Sequence, residues 1–288
     1  MAFLSPLRYP GGKGLLLDFI SDVISRTVDD RITYIEPFTG GAAIALGLLS
    51  RGIVERAIIG DADPAIAAFW RAVYFRTEEF IDKIWTCDVS IDAWHENWEI
   101  LDSQAHGCDL ELGFAAFFLN RTNRSGILRA RPIGGLDQNS EWKLDCRFNK
   151  SDLSRRIEEL GIYRDAVEIF EGDACELLDR LGADDDNMFI YADPPYLTKS
   201  ADLYLNDMDQ ERHFSFCSKL RTSFRYWMVS YDYNTQIRET FFPEESLVEF
   251  SIRHSASRAH IGRELAIFSN SCVFEDSLHM LKSPAVVH

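Results

Sequence analysis

The chain lacks a Cys-x-x-Cys pair, a run of about 18 apolar residues, and any overall excess of positive charge. Its six cysteines (Cys87, Cys108, Cys146, Cys175, Cys217 and Cys272) are scattered over 288 residues. That spacing argues against a zinc ribbon or a disulfide framework and fits free thiols in a reducing compartment, so no metal is expected. Without a long apolar run there is no candidate membrane span. Residues 1–10 show no basic segment leading into an apolar one, and a cytoplasmic protein is expected. Two nucleotide motifs are also missing. Gly-x-Gly-x-x-Gly does not occur, and Tyr9-Pro10-Gly11-Gly12-Lys13-Gly14 fails as a phosphate loop because Leu7 replaces its first glycine and no Ser or Thr follows Lys13. A lysine on such a turn reads either as a surface cap or as a group reaching a carboxylate in a ligand site.

A formal net charge of −16 argues against a polyanionic partner, because phosphate binding rests on Lys and Arg. The distribution softens that objection. Residues 76–119 hold two basic and ten acidic side chains, whereas residues 120–156 hold nine basic, among them Arg121, Arg124, Arg129 and Arg131, and four acidic. A second basic stretch, 251–263, carries Arg253, Arg258 and Arg263 with His254 and His260 and no acid. These segments read either as solvated surface or as walls of a positive groove.

With 46% apolar residues the chain can bury a substantial core, as one large α/β domain or as a domain with an insertion. Apolar runs bounded by turn residues predict strands at 32–37, 56–60, 167–171, 188–192, 226–230, 246–252 and 265–269. Helical spacing predicts helices at 14–26, 42–50, 64–75 and 209–224. The alternation predicts a doubly wound, seven-stranded α/β sheet. It fails between about residues 76 and 165, where Trp, Arg and Gly-rich loop signals intervene; this stretch reads as an inserted, mainly helical domain.

Ligands of such sheets sit beyond the carboxyl ends of the strands near the topological switch point. Strand 1 ends in Glu36-Pro37-Phe38-Thr39-Gly40-Gly41, whose glycines let backbone approach a ligand, although a simple packing turn fits equally. Strand 2 ends at Asp61, 21 residues after Gly40, the spacing of a carboxylate that accepts from ribose hydroxyls; a nucleoside cofactor is expected. Asp173 after strand 3 could bond a cofactor base or cap helix 174–181. Strand 4 ends in Asp193-Pro194-Pro195-Tyr196: a carboxylate to accept amine hydrogens, prolines that stop the ladder, and a ring on which a base can stack. Alone, these four residues also fit a plain strand terminator.

Taken in order, Arg8 to Lys13, Tyr34-Ile35-Glu36-Pro37-Phe38-Thr39-Gly40-Gly41, Asp61-Ala62-Asp63, Glu171-Gly172-Asp173 and Asp193 to Tyr196 resemble the Dam-like family of DNA adenine-N6 methyltransferases, in the group whose target-recognition domain lies between the cofactor and catalytic motifs. Asn120-Arg121 with Gly126 resembles a stretch of that recognition domain. The resemblance implies a Rossmann-like methyltransferase sheet built from residues 1–75 and 166–288, with 76–165 recognising DNA. It implies S-adenosylmethionine as cofactor, with S-adenosylhomocysteine as product and no metal. The substrate implied is an adenine flipped out of double-stranded DNA, for which GATC is the family's commonest site.

On that basis Asp193, Pro194, Pro195 and Tyr196 are the catalytic candidates. Tyr9, Pro10, Gly11, Gly12, Lys13, Glu36, Pro37, Phe38, Gly40, Gly41, Asp61, Asp173 and Asp193 are the cofactor candidates. Asn120, Arg121, Arg124, Arg129 and Arg131 are the DNA candidates. Three departures stand out. Ala42 replaces a frequent third glycine, at little cost if the backbone there is helical; Asp63 replaces an Asn; and Arg124-Ser125 precede Gly126 where Phe-Asn is common. Cytosine-N4 or RNA adenine remain alternative targets, as does a cofactor-binding protein without turnover that binds DNA or a partner. Asp193 favours a nucleobase amine over a protein amide, whose methyltransferases carry Asn there.

Overall fold

The computed structural model describes residues 5–9, 13–28, 32–103, 109–182, 187–195, 208–254 and 260–287. Among these, eight strands form one sheet: β1 (Thr33–Glu36), β2 (Arg56–Asp61), β3 (Val167–Glu171), β4 (Met188–Ala192), β5 (Trp227–Asp232), β6 (Ser246–His254), β7 (His260–Phe268) and β8 (Lys282–Val287). Their order is β3-β2-β1-β4-β5-β7-β6-β8. β1 to β5 are parallel, and β7 runs antiparallel between β5 and β6.

Both faces are covered, and alternation along each strand shows it. Tyr34, Phe189, Tyr191, Met228, Val248 and Phe268 enter the core on one face. Their neighbours Ile35, Ile190, Ala192, Trp227, Val229, Leu247 and Ile267 enter the core on the other. A period of two with every position apolar is what a strand buried on both sides requires.

The helices are α1 (Leu17–Thr27), α2 (Ala43–Ser50), α3 (Pro64–Phe75), α4 (Thr77–Thr86), α5 (Ile91–Ser103), α6 (Asp109–Thr122), α7 (Lys150–Gly161), α8 (Ala174–Leu181) and α9 (Gln210–Ser223). Local chemistry sets several ends. Asp63 caps α3 by accepting from Ala65 N–H at 2.9 Å, with Pro64 at the first helical position, and Asp173 and Glu176 close a capping box on α8. None of these helices is long and apolar enough to cross a membrane.

Residues 76–165 supply α4 to α7. Their apolar side chains, among them Phe80, Ile84, Phe117, Leu153 and Ile157, join Phe69 and Trp70 of α3 in a single core. α6 is apolar all round and buried accordingly. Phe117 of α6 stacks on Phe69 of α3 at 5.9 Å between ring centroids.

The seven-strand expectation falls short by β8, an exposed edge strand whose only apolar stretch is the three residues Ala285 to Val287. Its Lys282 and Pro284 suit an edge that must not pair further. β7 begins at His260, five residues before the expected start, because antiparallel pairing to β6 carries it through the charged Arg263 and Glu264.

Candidate active site

β1 and β4 are adjacent, and the chain leaves them in opposite directions across the sheet, so the switch point lies between their carboxyl ends. The turn after β1 is held on every side. Thr39 N–H donates to the Gly60 carbonyl at 2.9 Å, Gly40 N–H to Asp61 Oδ2 at 2.8 Å, and Trp70 Nε1 to the Gly40 carbonyl at 3.0 Å. Gly40 is obligatory. Its φ is +45°, and a Cβ there would stand 2.5 Å from the ring of Tyr9, which lies against the glycine pair.

Ala42 departs from expectation: its φ is 50°, so the backbone is left-handed and not helical, and alanine is strained where glycine would be free. It also gives α2 no side-chain cap. Glu36 supplies one from β1, its Oε2 accepting from Ala45 N–H at 3.1 Å and from the Tyr34 hydroxyl at 3.2 Å.

Glu36 is buried, and burial pushes its carboxyl up to about 8 despite those donors. Asp61 is pushed up to about 7, first by desolvation and then by the neighbouring Asp63. Both groups therefore hold more protons folded than unfolded at neutral pH. The stability this confers is full below their ordinary values of 4.5 and 3.8 and is lost as pH rises through about 8 and about 7. Resistance to thermal unfolding is expected to fall from about pH 5 to 8, by up to roughly 1.4 kcal/mol per pH unit for each group. Glu36→Gln, which keeps an acceptor for Ala45, should flatten that slope. A slope equal to that of the unaltered protein would refute the assignment.

At the end of β4, Asp193 Oδ1 accepts from the Ser230 hydroxyl of β5 at 2.7 Å and pairs with Lys13 Nζ at 3.1 Å. Ser230 has one proton and gives it to Asp193, so the Tyr191 hydroxyl, 2.9 Å away, donates to Ser230. Lys13 is buried and reaches a second carboxylate, Glu264 Oε1, at 3.2 Å. It is thus no surface cap. The Asp193 side chain keeps 24% of its surface exposed, open enough to meet a ligand, whereas Lys13 and Glu264 are closed off. Pro194 is buried and Pro195 half-buried beside it.

Several expected site residues meet here: Tyr9, Lys13, Glu36, Gly40, Gly41, Asp61 and Asp193, with Pro37 buried and Phe38 half-buried on the turn. Phe38 packs edge-on against Phe216 of α9 at 5.2 Å. Pro10, Gly11, Gly12 and Tyr196 lie outside the described residues. Of the two roles open to Asp173, the cap is the one seen: Oδ1 accepts from Cys175 N–H at 2.8 Å and Oδ2 pairs with Arg212 at 2.6 Å.

The basic island divides. Asn120 is buried, accepting from Arg8 N–H at 2.7 Å and donating to the Arg8 and Gly126 carbonyls, so it docks the segment leading to Tyr9 and Lys13 onto α6. Arg121 donates to the Arg147 and Pro6 carbonyls, and burial lowers its guanidinium to about 10. Arg129 pairs with Asp102 at 2.8 Å. Arg124 and Arg131 are exposed on a short two-stranded turn, Arg124 N–H donating to the Arg131 carbonyl at 3.1 Å. Glu264, Ser230 and Tyr191 carry no motif; the one mark in the sequence is a lone acid, Glu264, heading the apolar run 265–268.

The sheet order, with its loops at the strand ends around a switch point, is that of a doubly wound α/β protein. The profile of the D12 class N6 adenine-specific DNA methyltransferases matches residues 9–255, and the chain belongs to that family. It is a DNA adenine-N6 methyltransferase, and membership implies S-adenosylmethionine as donor and DNA as substrate. The type II methyltransferase M.MjaIII of Methanocaldococcus jannaschii is 26% identical over 252 residues, spanning 79% of this chain and 84% of that protein. Among solved structures, a candidate RNA methyltransferase from Pyrococcus horikoshii aligns with a TM-score of 0.44 at 11% identity, covering 91% of this chain and 84% of its own. The rRNA methyltransferase aviRa from Streptomyces viridochromogenes aligns at 0.34 and 14%, covering 90% and 86%.

Proposed function

We propose that the chain methylates N6 of an adenine flipped out of a short site in double-stranded DNA, with Asp193 as the group that receives the base. The observation that carries this reading is the fixing of Asp193 Oδ1 by Ser230 and Lys13 at the switch point. Both contacts fall on one oxygen. The other, Oδ2, is left to accept one N6 hydrogen, and the Pro194 carbonyl to accept the second.

The residues present suit S-adenosylmethionine. Asp61 uses one lone pair of each oxygen on Gly40 and Asp63 N–H groups and keeps others for hydroxyls, and the acidic ends of β2 and β4 suit a cation. Tyr9, Phe38 and the Gly40-Gly41 turn would flank the cofactor between them. When bound, that cofactor would supply a methyl group activated by its sulfonium charge, to be taken by the N6 lone pair as the carbon–sulfur bond breaks onto sulfur. Asp193 aligns the lone pair, and its Oδ2 accepts the proton that N6 then loses and passes it to water. Tyr196 would stack on the base.

Residues 76–165 would form the DNA-reading part, with the exposed Arg124 and Arg131 facing phosphates or a guanine edge. The likeness to a type II methyltransferase supports a role beside a restriction enzyme. The test is to incubate purified protein and methyl-labelled S-adenosylmethionine with unmethylated duplex DNA, the same DNA as single strands, and RNA. Expected is N6-methyladenine in the duplex, at one motif found by sequencing, GATC being the first to compare. Label in cytosine or RNA alone, or cofactor binding without transfer, would sink the reading.

A further inference from the structure

We propose that Glu264 is a positioning residue for methyl transfer: through Lys13 it orients Asp193, and it adds a second carboxylate charge to the Lys13–Asp193 pair. The inference rests on Asp193 being the group that receives the base. Glu264 lies outside the residues 9–255 that the family profile matches.

Lys13 stands just before a single 3-10 turn, Gly14–Leu16, that leads into α1, and its ammonium is carried on a flexible four-carbon stem. Glu264 lies in the interior of the sheet, register-paired with Asp232 of β5 on one side and Phe250 of β6 on the other. Its backbone is therefore paired into the sheet on both sides. The ion pair at 3.2 Å ties the stem to the sheet, and the same ammonium meets Asp193 Oδ1 at 3.1 Å. Ser230 fixes that oxygen from β5 at 2.7 Å. One oxygen held from two directions by groups anchored on separate strands has one orientation, and a carboxylate that must align a lone pair needs this.

Electrostatics supplies the second part. One carboxylate is enough to pair a buried ammonium, and here two share it, with Glu264 fully buried. Burying a further carboxylate costs free energy that an ion pair seldom returns, so stability alone does not account for it. A sulfonium beside Asp193 is a cation that becomes a neutral thioether after transfer. The Glu264 charge favours the first over the second, and so helps donor displace product.

The experiment uses the full chain and measures single-turnover methyl transfer on duplex DNA. Calorimetric affinities for S-adenosylmethionine and S-adenosylhomocysteine, and a thermal melt, accompany it for each variant. Glu264→Gln is expected to lower the single-turnover rate roughly tenfold and to shift the donor-to-product affinity ratio toward product by about the same factor. Glu264→Asp keeps the charge but withdraws the oxygen by a methylene, so it should keep the ratio and lose rate. Glu249→Gln removes the same charge from neighbouring β6, where Glu249 pairs with Arg263 at 2.6 Å, and should change neither. A folded Glu264→Gln with unchanged rate and ratio would overturn the proposal, as would an equal ratio shift in Glu249→Gln. Should Glu264→Gln not fold, an undiminished rate in Glu264→Asp overturns the positioning role. Absence of N6-methyladenine with the unaltered enzyme would instead fail the reading of Asp193.

Discussion

Asp193→Ala is expected to fold and to bind S-adenosylmethionine while losing methyl transfer by roughly 10²–10⁴-fold, the range for removing an aligned proton acceptor. The fold survives because Lys13 keeps Glu264 as its counter-charge and Ser230 keeps the Tyr191 hydroxyl as a hydrogen-bond partner. Asp193→Asn is the sharper case. Ser230 and Lys13 both donate to the Oδ1 position, so the asparagine carbonyl must occupy it and the amide nitrogen falls where Oδ2 was. That nitrogen is a donor, and it would face the donor hydrogens of N6. The near-isosteric change should therefore cost nearly as much as truncation. Single-turnover assays at saturating donor check both variants: substantial transfer by Asp193→Asn would mean the base is received elsewhere, and a loss of donor binding in Asp193→Ala would make its role one of cofactor binding.

Why the centre of this site was legible and its support was not follows from where each signal is stored. Cap chemistry is local, so Asp63-Pro64 and Asp173 with Glu176 mark the starts of α3 and α8 at the expected residues. The strand-end motifs are local too, and the sheet order brings the ends of β1, β2 and β4 side by side as a doubly wound pattern implies. Glu264 carries no comparable mark. Its partner Lys13 is some 250 residues away along the chain, and only the antiparallel return of β7 beside β5 brings them together. Charge counting met a similar limit between residues 120 and 131. It registers a positive island, but not that Arg121 is directed at backbone carbonyls while Arg124 and Arg131 are exposed. The left-handed Ala42 was invisible because the family's frequent glycine there, not this alanine, would have announced the conformation.

The same substitution at two helical glycines is expected to give results far apart. A Cβ at Gly113 of α6 would stand 2.6 Å from the Ala68 carbonyl oxygen and 2.7 Å from the Phe69 backbone, whereas the atoms nearest a Cβ at Gly47 of α2 belong to the branched end of Leu17. Either change to alanine gains about 1 kcal/mol of helix propensity. At Gly47 a half-buried leucine tip can turn aside, and Gly47→Ala should be neutral or slightly stabilising. At Gly113 the obstacle is the backbone of α3, which cannot yield without parting the Phe69–Phe117 stack, so overpacking outweighs propensity and Gly113→Ala should lose roughly 2 kcal/mol. Gly113→Val should lose more. Urea unfolding midpoints measure this directly, and Gly113→Ala matching the unaltered protein would show that α6 does not hold this close contact with α3 in solution. The loss should also reach the chemistry. α6 carries Asn120, which holds Arg8 by two backbone hydrogen bonds and so sets the segment that delivers Tyr9 to Gly40 and Lys13 to Asp193. Gly113→Val should therefore weaken donor binding and slow transfer even at temperatures where most molecules remain folded, and Gly47→Ala should do neither.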